Sequence, residues 1–218
     1  MTTFDVGIIN YGLGNIKSVE QAILKIGYTP KILLSSDEIC RSQRLILPGV
    51  GNFAKAKNLL DKFDWSDQIY YAVKKQKKPI FGICLGMQLL ASHGYEGADE
   101  YGLDKIKGFG FIKGEIKHLS QLGCDEKIPH MGWNSVFWEE NESHDILQGI
   151  KNGTDFYFVH SFAYESSNSY QINGWTNYSS NFISVVSSEN VWGTQFHPEK
   201  SSSAGLKILK NFMEFSVC

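Results

Sequence analysis

Pro79-Ile80-Phe81-Gly82-Ile83-Cys84-Leu85-Gly86-Met87-Gln88 runs an apolar stretch straight into a Gly-x-Cys-x-Gly turn. This is the thiol form of the nucleophile elbow, where a buried strand bends sharply into a helix and presents its middle residue at the carboxyl edge of a sheet. Glycines two before and two after the cysteine let strand and helix close on each other, while Cys84 takes a strained backbone conformation. The N–H groups that open the helix then face whatever the side chain attacks. A nucleophile so placed implies an α/β fold, and a thiol nucleophile implies acyl transfer through a thioester.

Outward from the elbow, strand and helix patterns alternate through the first half. Phe4–Asn10 reads as a buried strand; Ile16, Val19, Ile23 and Ile26 give one apolar helical face that ends at Gly27. Lys31–Leu34 and Leu45–Leu47 read as strands, Ala54–Lys75 as largely helical, and Pro79–Ile83 as the strand entering the elbow. Such alternation predicts right-handed crossovers and a mainly parallel central sheet flanked by helices. From Gly108 the rhythm changes. Phe109–Ile112, Ser135–Trp138, Phe156–Val159, Tyr170–Trp175, Phe182–Val186 and Val191–Gln195 read as strands joined by Gly, Asn and Ser turns. Additional antiparallel strands are therefore expected in the C-terminal half. A last helix, Ala204–Phe215, turns Leu209, Phe212 and Phe215 inward. Nothing resembles a linker or a repeat, so residues 1–218 read as one domain.

A thiolate needs a base, and the base needs an orienter. Of six histidines, only His197 stands in a segment that supplies one: Gly193-Thr194-Gln195-Phe196-His197-Pro198-Glu199-Lys200-Ser201. Pro198 forces His197 to be extended, and residues two apart on an extended chain face the same way, so Glu199 is expected to hold the His197 ring. Cys84, His197 and Glu199 are the candidate catalytic residues. Without their neighbours, Cys84 would read as a small core hydrophobe and His197 as a structural histidine. Gln88, four residues after Cys84, shares its face of the helix and can hold a substrate's amino-acid end, or can simply be a solvated helix residue. Pro48-Gly49-Val50-Gly51 follows an apolar run and would ordinarily be a plain turn.

These segments carry a family resemblance. Gly82-Ile83-Cys84-Leu85-Gly86-Met87-Gln88 with the distant Gln195-Phe196-His197-Pro198-Glu199 resembles the class I glutamine amidotransferases. Asn10-Tyr11-Gly12-Leu13-Gly14-Asn15, Leu47-Pro48-Gly49-Val50-Gly51, Lys127-Ile128-Pro129-His130-Met131-Gly132-Trp133-Asn134 and Phe158-Val159-His160-Ser161 narrow the resemblance to the glutaminase subunits of imidazole glycerol phosphate synthase. The likeness spans the chain from first strand to last helix. It implies a flavodoxin-like three-layer sandwich and hydrolysis of L-glutamine, with no metal and no cofactor. It also implies an oxyanion hole from the N–H of Leu85 and the Val50–Gly51 loop, where glycines beside Val50 make peptide rotation inexpensive. Gly49, Gly51, Gln88, His160, Ser161 and Phe162 would bind glutamine; many members carry tyrosine at the position of Phe162. On its residues alone His160 reads more readily as a strand-end residue than as a second base.

The resemblance also names a partner, a (β/α)8-barrel cyclase subunit that takes up the ammonia. Asn15, Met131, Trp133 and Lys200 match the family's contact region. Trp133 has an alternative reading as a core aromatic, although an exposed tryptophan is a typical interface anchor. The acceptor implied is a ribulosyl nucleotide in histidine biosynthesis. A paralogous glutaminase serving amidation of a bacterial surface sugar uses the same triad and remains the alternative. A thiol protease fits Gln88 and the Pro129–Asn134 segment poorly. A catalytically silent binding subunit would lack Cys84, His197 or Glu199.

Length and composition agree. A chain of 218 residues buries a substantial core, and 21 basic against 23 acidic residues leave a net charge of −2, giving no electrostatic case for nucleic acid. Lys74, Lys75, Lys77 and Lys78 cluster at a helix end, where cations complement the dipole. No apolar run is long enough to span a membrane, and Met1-Thr2-Thr3 is unlike a signal peptide. Cys40, Cys84, Cys124 and Cys218 show no Cys-x-x-Cys spacing, so neither a zinc site nor a disulfide is expected and the compartment implied is the cytoplasm.

Overall fold

Strand β1 (Phe4–Ile9) lies between β2 (Pro30–Leu33) and β3 (Ser42–Gly49), parallel to both, and starts the central sheet. The computed structural model describes residues 4–139, 145–166 and 171–215. The expectations placed on Met1-Thr2-Thr3, on Tyr170 and on Cys218 lie outside them, as does His144. Next to β3 runs β4 (Ile80–Cys84), also parallel, with Gly49 paired to Cys84 at the end of the register. The alternation of apolar strands and amphipathic helices in the first half thus produces the expected parallel block.

The rest of the sheet is built from β5 (His93–Gly94), β6 (Ile106–Lys107), β7 (Glu115–His118), β10 (Phe162–Glu165), β11 (Ile172–Tyr178), β12 (Ser180–Ser188) and β13 (Val191–Thr194). Its order is β2-β1-β3-β4-β13-β12-β10-β7-β5-β6, with β11 paired to β12. β13, last in sequence, returns to run parallel beside β4, while β12, β10 and β7 continue antiparallel. β8 (His130–Val136) and β9 (Thr154–His160) form a separate antiparallel ribbon.

Helices cover both faces. α1 (Ile16–Lys25) and α5 (Ser202–Glu214) share one apolar cluster, in which Val19, Ile23, Leu209 and Phe212 pack on Ile8, Ile46 and Phe81. α2 (Phe53–Lys62), α3 (Trp65–Tyr70) and α4 (Leu85–Leu89) share the other, with Phe53, Leu60, Trp65 and Ile69 on Leu45 and Leu47. The expected helix over Ala54–Lys75 is broken where Asp64 takes φ +58°, and it ends in a wide π-type turn at Tyr71–Lys75.

One expected strand is absent. Phe109–Ile112 is irregular, because its backbone has other work: the N–H groups of Phe109, Ile112 and Gly110 donate to the carbonyls of Leu89, Leu90 and Ala91. The segment closes the carboxyl end of the five-residue α4, whose last carbonyls lack helical partners. Phe109, Phe111 and Ile112 are buried there, so apolar content alone mimicked a strand.

Candidate active site

Two glycines make the turn after β4 possible. A Cβ on Gly86 would sit 1.7 Å from the carbonyl oxygen of Leu47, and one on Gly82 would sit 2.6 Å from the N of Met87. Strand and helix therefore touch backbone to backbone. Between them Cys84 adopts φ +53°, ψ −109°, a conformation that L-residues avoid and that persists only when its surroundings impose it. The sulfur is nearly buried, 3.8 Å from the carbonyl oxygen of Val159.

His197 follows β13, the neighbour of β4, so the two strand ends bring the ring toward the sulfur. Its Nδ1 lies 2.9 Å from Glu199 Oε1. The route differs from the expected one. His197 itself is extended, but Pro198–Lys200 form a 3-10 turn, and it is the turn that folds Glu199 back beneath the ring. The turn is tied down at several points. Ser201 Oγ donates to the His197 carbonyl and accepts from Tyr157 N, and His197 N donates to Tyr157 O. Gly205 lets α5 approach, since a Cβ there would meet the Pro198 carbonyl oxygen at 2.0 Å.

Burial by itself would strip the proton from His197. The Cys84 sulfur and the Glu199 carboxylate outweigh that effect and push the ring up to about 10. His197 Nε2 nonetheless has no hydrogen bond of ordinary geometry. Ring and sulfur are coupled through space.

A cavity of about 160 Å³, a size that holds one small organic molecule, opens in front of Cys84. Of the expected site residues, Val50, Gly51, Leu85, Gln88, His160, Ser161 and Phe162 line it together with Cys84. Gly49 stands behind, held in register with Cys84. Gly51 has φ +99° and open space around its α-carbon, so backbone conformation rather than crowding calls for glycine there.

His160 ends β9 as expected but is not a second base. Its Nδ1–H donates to the Phe162 carbonyl at 2.9 Å, which leaves Nε2 to accept from His130 Nδ1–H at 3.0 Å. His130 Nε2 in turn accepts from Asn134 Nδ2 at 3.2 Å. Burial lowers both rings, His130 to about 4 and His160 to about 3, so the pair is neutral. Phe162 contributes its carbonyl to this chain, an atom independent of any ring hydroxyl.

Three residues in contact with the site were not among the expected site residues, and the first is Val159, whose carbonyl faces the sulfur. Glu96 lines the cavity, its Oε2 accepting from Phe53 N and its carboxyl raised by burial. It sits in an aperiodic stretch with no motif to flag it. Gln195 is fully buried, with Nε2 3.6 Å from Cys84 Sγ. It lies inside the quoted His197 segment, but only the register of β13 on β4 reveals where it points.

The four candidate contact residues lie outside the cavity. Met131 and Trp133 alternate on the outer face of β8, 63% and 53% exposed, and Trp133 is no core aromatic. Its ring lies 6.1 Å from that of Tyr157, and Lys200 Nζ lies 5.6 Å from the same tyrosine. Asn15 precedes α1, which packs against the Pro198–Lys200 turn.

A thiol elbow with a buried imidazole–carboxylate pair on a doubly covered sheet defines the class: the family "Glutamine amidotransferase class-I" matches residues 7–215, and the chain belongs to it. Solved structures agree on the fold. A glutamine amidotransferase crystal structure superposes with TM-score 0.72 at 16% identity over 96% of this chain and 97% of that one. PurLQS from Thermotoga maritima does so with 0.71 at 20% identity over 98% of each. Within the class, the chain is similar to imidazole glycerol phosphate synthase subunits HisH. It is 43% identical to that of Desulfitobacterium hafniense (strain DSM 10664 / DCB-2), over 95% of this chain and 92% of the relative. To the subunit of Caldanaerobacter subterraneus subsp. tengcongensis it is 42% identical, over 98% and 99%. The HisH group is therefore the branch to which the chain belongs.

Proposed function

We propose that the chain hydrolyses L-glutamine to glutamate and ammonia as the glutaminase subunit of imidazole glycerol phosphate synthase, in histidine biosynthesis. The observation that carries this is Cys84, held at positive φ at the rim of a one-molecule cavity with the His197–Glu199 pair beside it.

Glutamine enters with its side-chain amide over Cys84. The sulfur attacks the amide carbon, forming the C–S bond and moving the carbonyl electrons onto oxygen, which the Leu85 N–H and the Val50–Gly51 loop receive. His197, which holds the thiol's proton, delivers it to nitrogen as the C–N bond breaks and ammonia leaves. A water then attacks the thioester and gives a proton to His197; the adduct collapses and expels the sulfur as thiolate beside the re-formed imidazolium, and glutamate departs with its carboxyl proton lost to water. Glu199 keeps the ring oriented and favours its protonated form at each stage where it carries the proton. Free ammonia in bulk water at neutral pH becomes ammonium and is no longer a nucleophile, so useful transfer requires a covered exit.

The cover is a (β/α)8-barrel cyclase subunit that joins the nitrogen to a ribulosyl nucleotide, giving imidazole glycerol phosphate and an aminoimidazole carboxamide ribotide. Asn15, Met131, Trp133 and Lys200 form its seat, and the pair works as a heterodimer in the cytoplasm. Exposed apolar Met131 and Trp133 beside the turn that carries Glu199 support a docking face coupled to the site. No helix among the described residues is long and apolar enough to cross a membrane.

The test is co-purification with the barrel subunit, followed by glutamate release with and without its nucleotide ligand. Weak hydrolysis alone and strong stimulation in the liganded complex are expected, with complementation of a histidine auxotroph. Full activity in the isolated chain overturns the coupling; failure to complement moves the acceptor to another pathway.

A further inference from the structure

Gln195 touches the sulfur from inside the protein. It follows β13 directly, level with Cys84 in the parallel register that pairs Thr194 with Ile83, and its side chain is fully buried. Gln195 Nε2 lies 3.6 Å from Cys84 Sγ, within hydrogen-bonding reach of an atom as large as sulfur. Gln195 Oε1 accepts from Gln88 Nε2 at 3.1 Å, and Gln88 Nε2 also donates to the Phe162 carbonyl at 2.9 Å.

The orientation of each amide in this chain is forced. A backbone carbonyl only accepts, so Gln88 turns its NH2 toward Phe162. Gln195 meets the same NH2 and must present its oxygen to it. That leaves Gln195 nothing but N–H to offer the sulfur, and leaves Gln88 nothing but its carbonyl oxygen to offer the cavity it lines. Burying a primary amide is costly unless both ends are used, and here both are. An N–H donor favours the anionic sulfur over the thiol, since hydrogen bonds to a charged partner are the stronger ones. An inward-facing carbonyl oxygen, by the same logic, suits a ligand ammonium and not a ligand carboxylate.

We propose that Gln195 is a positioning residue of the thiol site: one end of its amide donates to Cys84 Sγ and keeps it facing the cavity, and the other fixes Gln88, the residue that the family resemblance assigns to the substrate's amino-acid end. The second half rests on glutamine being that substrate; the first does not.

The test uses Gln195→Glu and Gln195→Met in the full chain with its barrel partner. Glutamate at 195 keeps an acceptor for Gln88 but replaces the N–H at the sulfur with a carboxylate oxygen. Methionine keeps the volume and supplies neither group. Two readouts are taken: kcat and KM for glutamine, and the rate at which iodoacetamide alkylates Cys84, followed by peptide mass spectrometry with exposed Cys40 as internal reference. Both variants are expected to alkylate Cys84 about ten-fold more slowly, the scale of one hydrogen bond to a charged group. Gln195→Glu should lower kcat by about ten-fold with KM held within about two-fold, whereas Gln195→Met should lower kcat and raise KM several-fold. Loss of packing alone would not separate kcat from KM between the two variants. Parental alkylation rates in both overturn the hold on the sulfur, and the same KM in both overturns the hold on Gln88. If alkylation slows while the parent complex hydrolyses no glutamine, the sulfur contact stands and the substrate reading falls.

Discussion

His197 Nδ1 and Glu199 Oε1 are 2.9 Å apart, and each of the two side chains is only 1% exposed. A charge pair so enclosed is held by its mutual contact and by the Pro198–Lys200 turn, because water contributes almost nothing. The second carboxylate oxygen, Oε2, has no hydrogen-bond partner among the described residues.

Removing that charge while keeping the shape should disable the ring. Glu199→Gln is expected to lower kcat for glutamine in the barrel complex by about a hundred-fold or more, the scale of a positioned proton donor. Steady-state kinetics checks this, and a loss below about three-fold would show that Glu199 is a bystander.

The histidines also fix a pH optimum for stability. His197, raised to about 10 when folded, binds its proton more tightly than the unfolded chain does. Its contribution is complete below about pH 6.5 and is lost as pH rises toward 10. His130 and His160 are lowered to about 4 and about 3, so the unfolded chain takes up protons there first and stability falls as pH drops from about 6.5 toward those values. The opposing slopes place the best stability contributed by these rings near pH 6.5. Thermal melts across pH 4–9 should show His160→Gln flattening the acid limb and His197→Gln the alkaline limb; unaltered limbs would remove these rings from the account.

At the elbow the prediction concerns packing. Gly86→Ala drives a methyl group against the Leu47 carbonyl oxygen, an atom of β3 that cannot swing away. Destabilisation of about 3 kcal/mol or more is expected, at the upper end of overpacking penalties. Denaturant melts decide it, and a loss under about 1 kcal/mol would mean that strand and helix have room to part.

Much of this was legible in the letters because the signals were short-range. The elbow glycines, the Ile16–Ile26 face and the His197-x-Glu199 spacing are each set by neighbours within a few residues. What stayed hidden depends on distant partners. Phe109–Ile112 has strand-like composition, yet its N–H groups serve the end of α4. Gln195 and Glu96 belong to the site only because β13 returns beside β4 and because the segment after β5 folds over the cavity. Periodicity is blind to both. Even the His197–Glu199 contact arrives by a 3-10 turn, where an extended strand would have made the same pair by another path.

Trp133 offers the clearest test of the docking face. It is half exposed on the two-stranded ribbon, braced by Tyr157 and absent from either apolar cluster. Truncating such a residue costs the isolated fold little, within about 0.5 kcal/mol for a surface position. At an interface the same truncation removes a buried anchor. Trp133→Ala should weaken binding of the barrel subunit by about 2 kcal/mol, roughly thirty-fold in Kd, while the melting temperature of the free chain stays near parental. Calorimetric titration of the barrel subunit into variant and parent reads the change in Kd, and thermal melts of the two free chains read the stability. An unchanged Kd would move the docking face away from β8 and, with it, the expectation that Met131 and Lys200 share the contact.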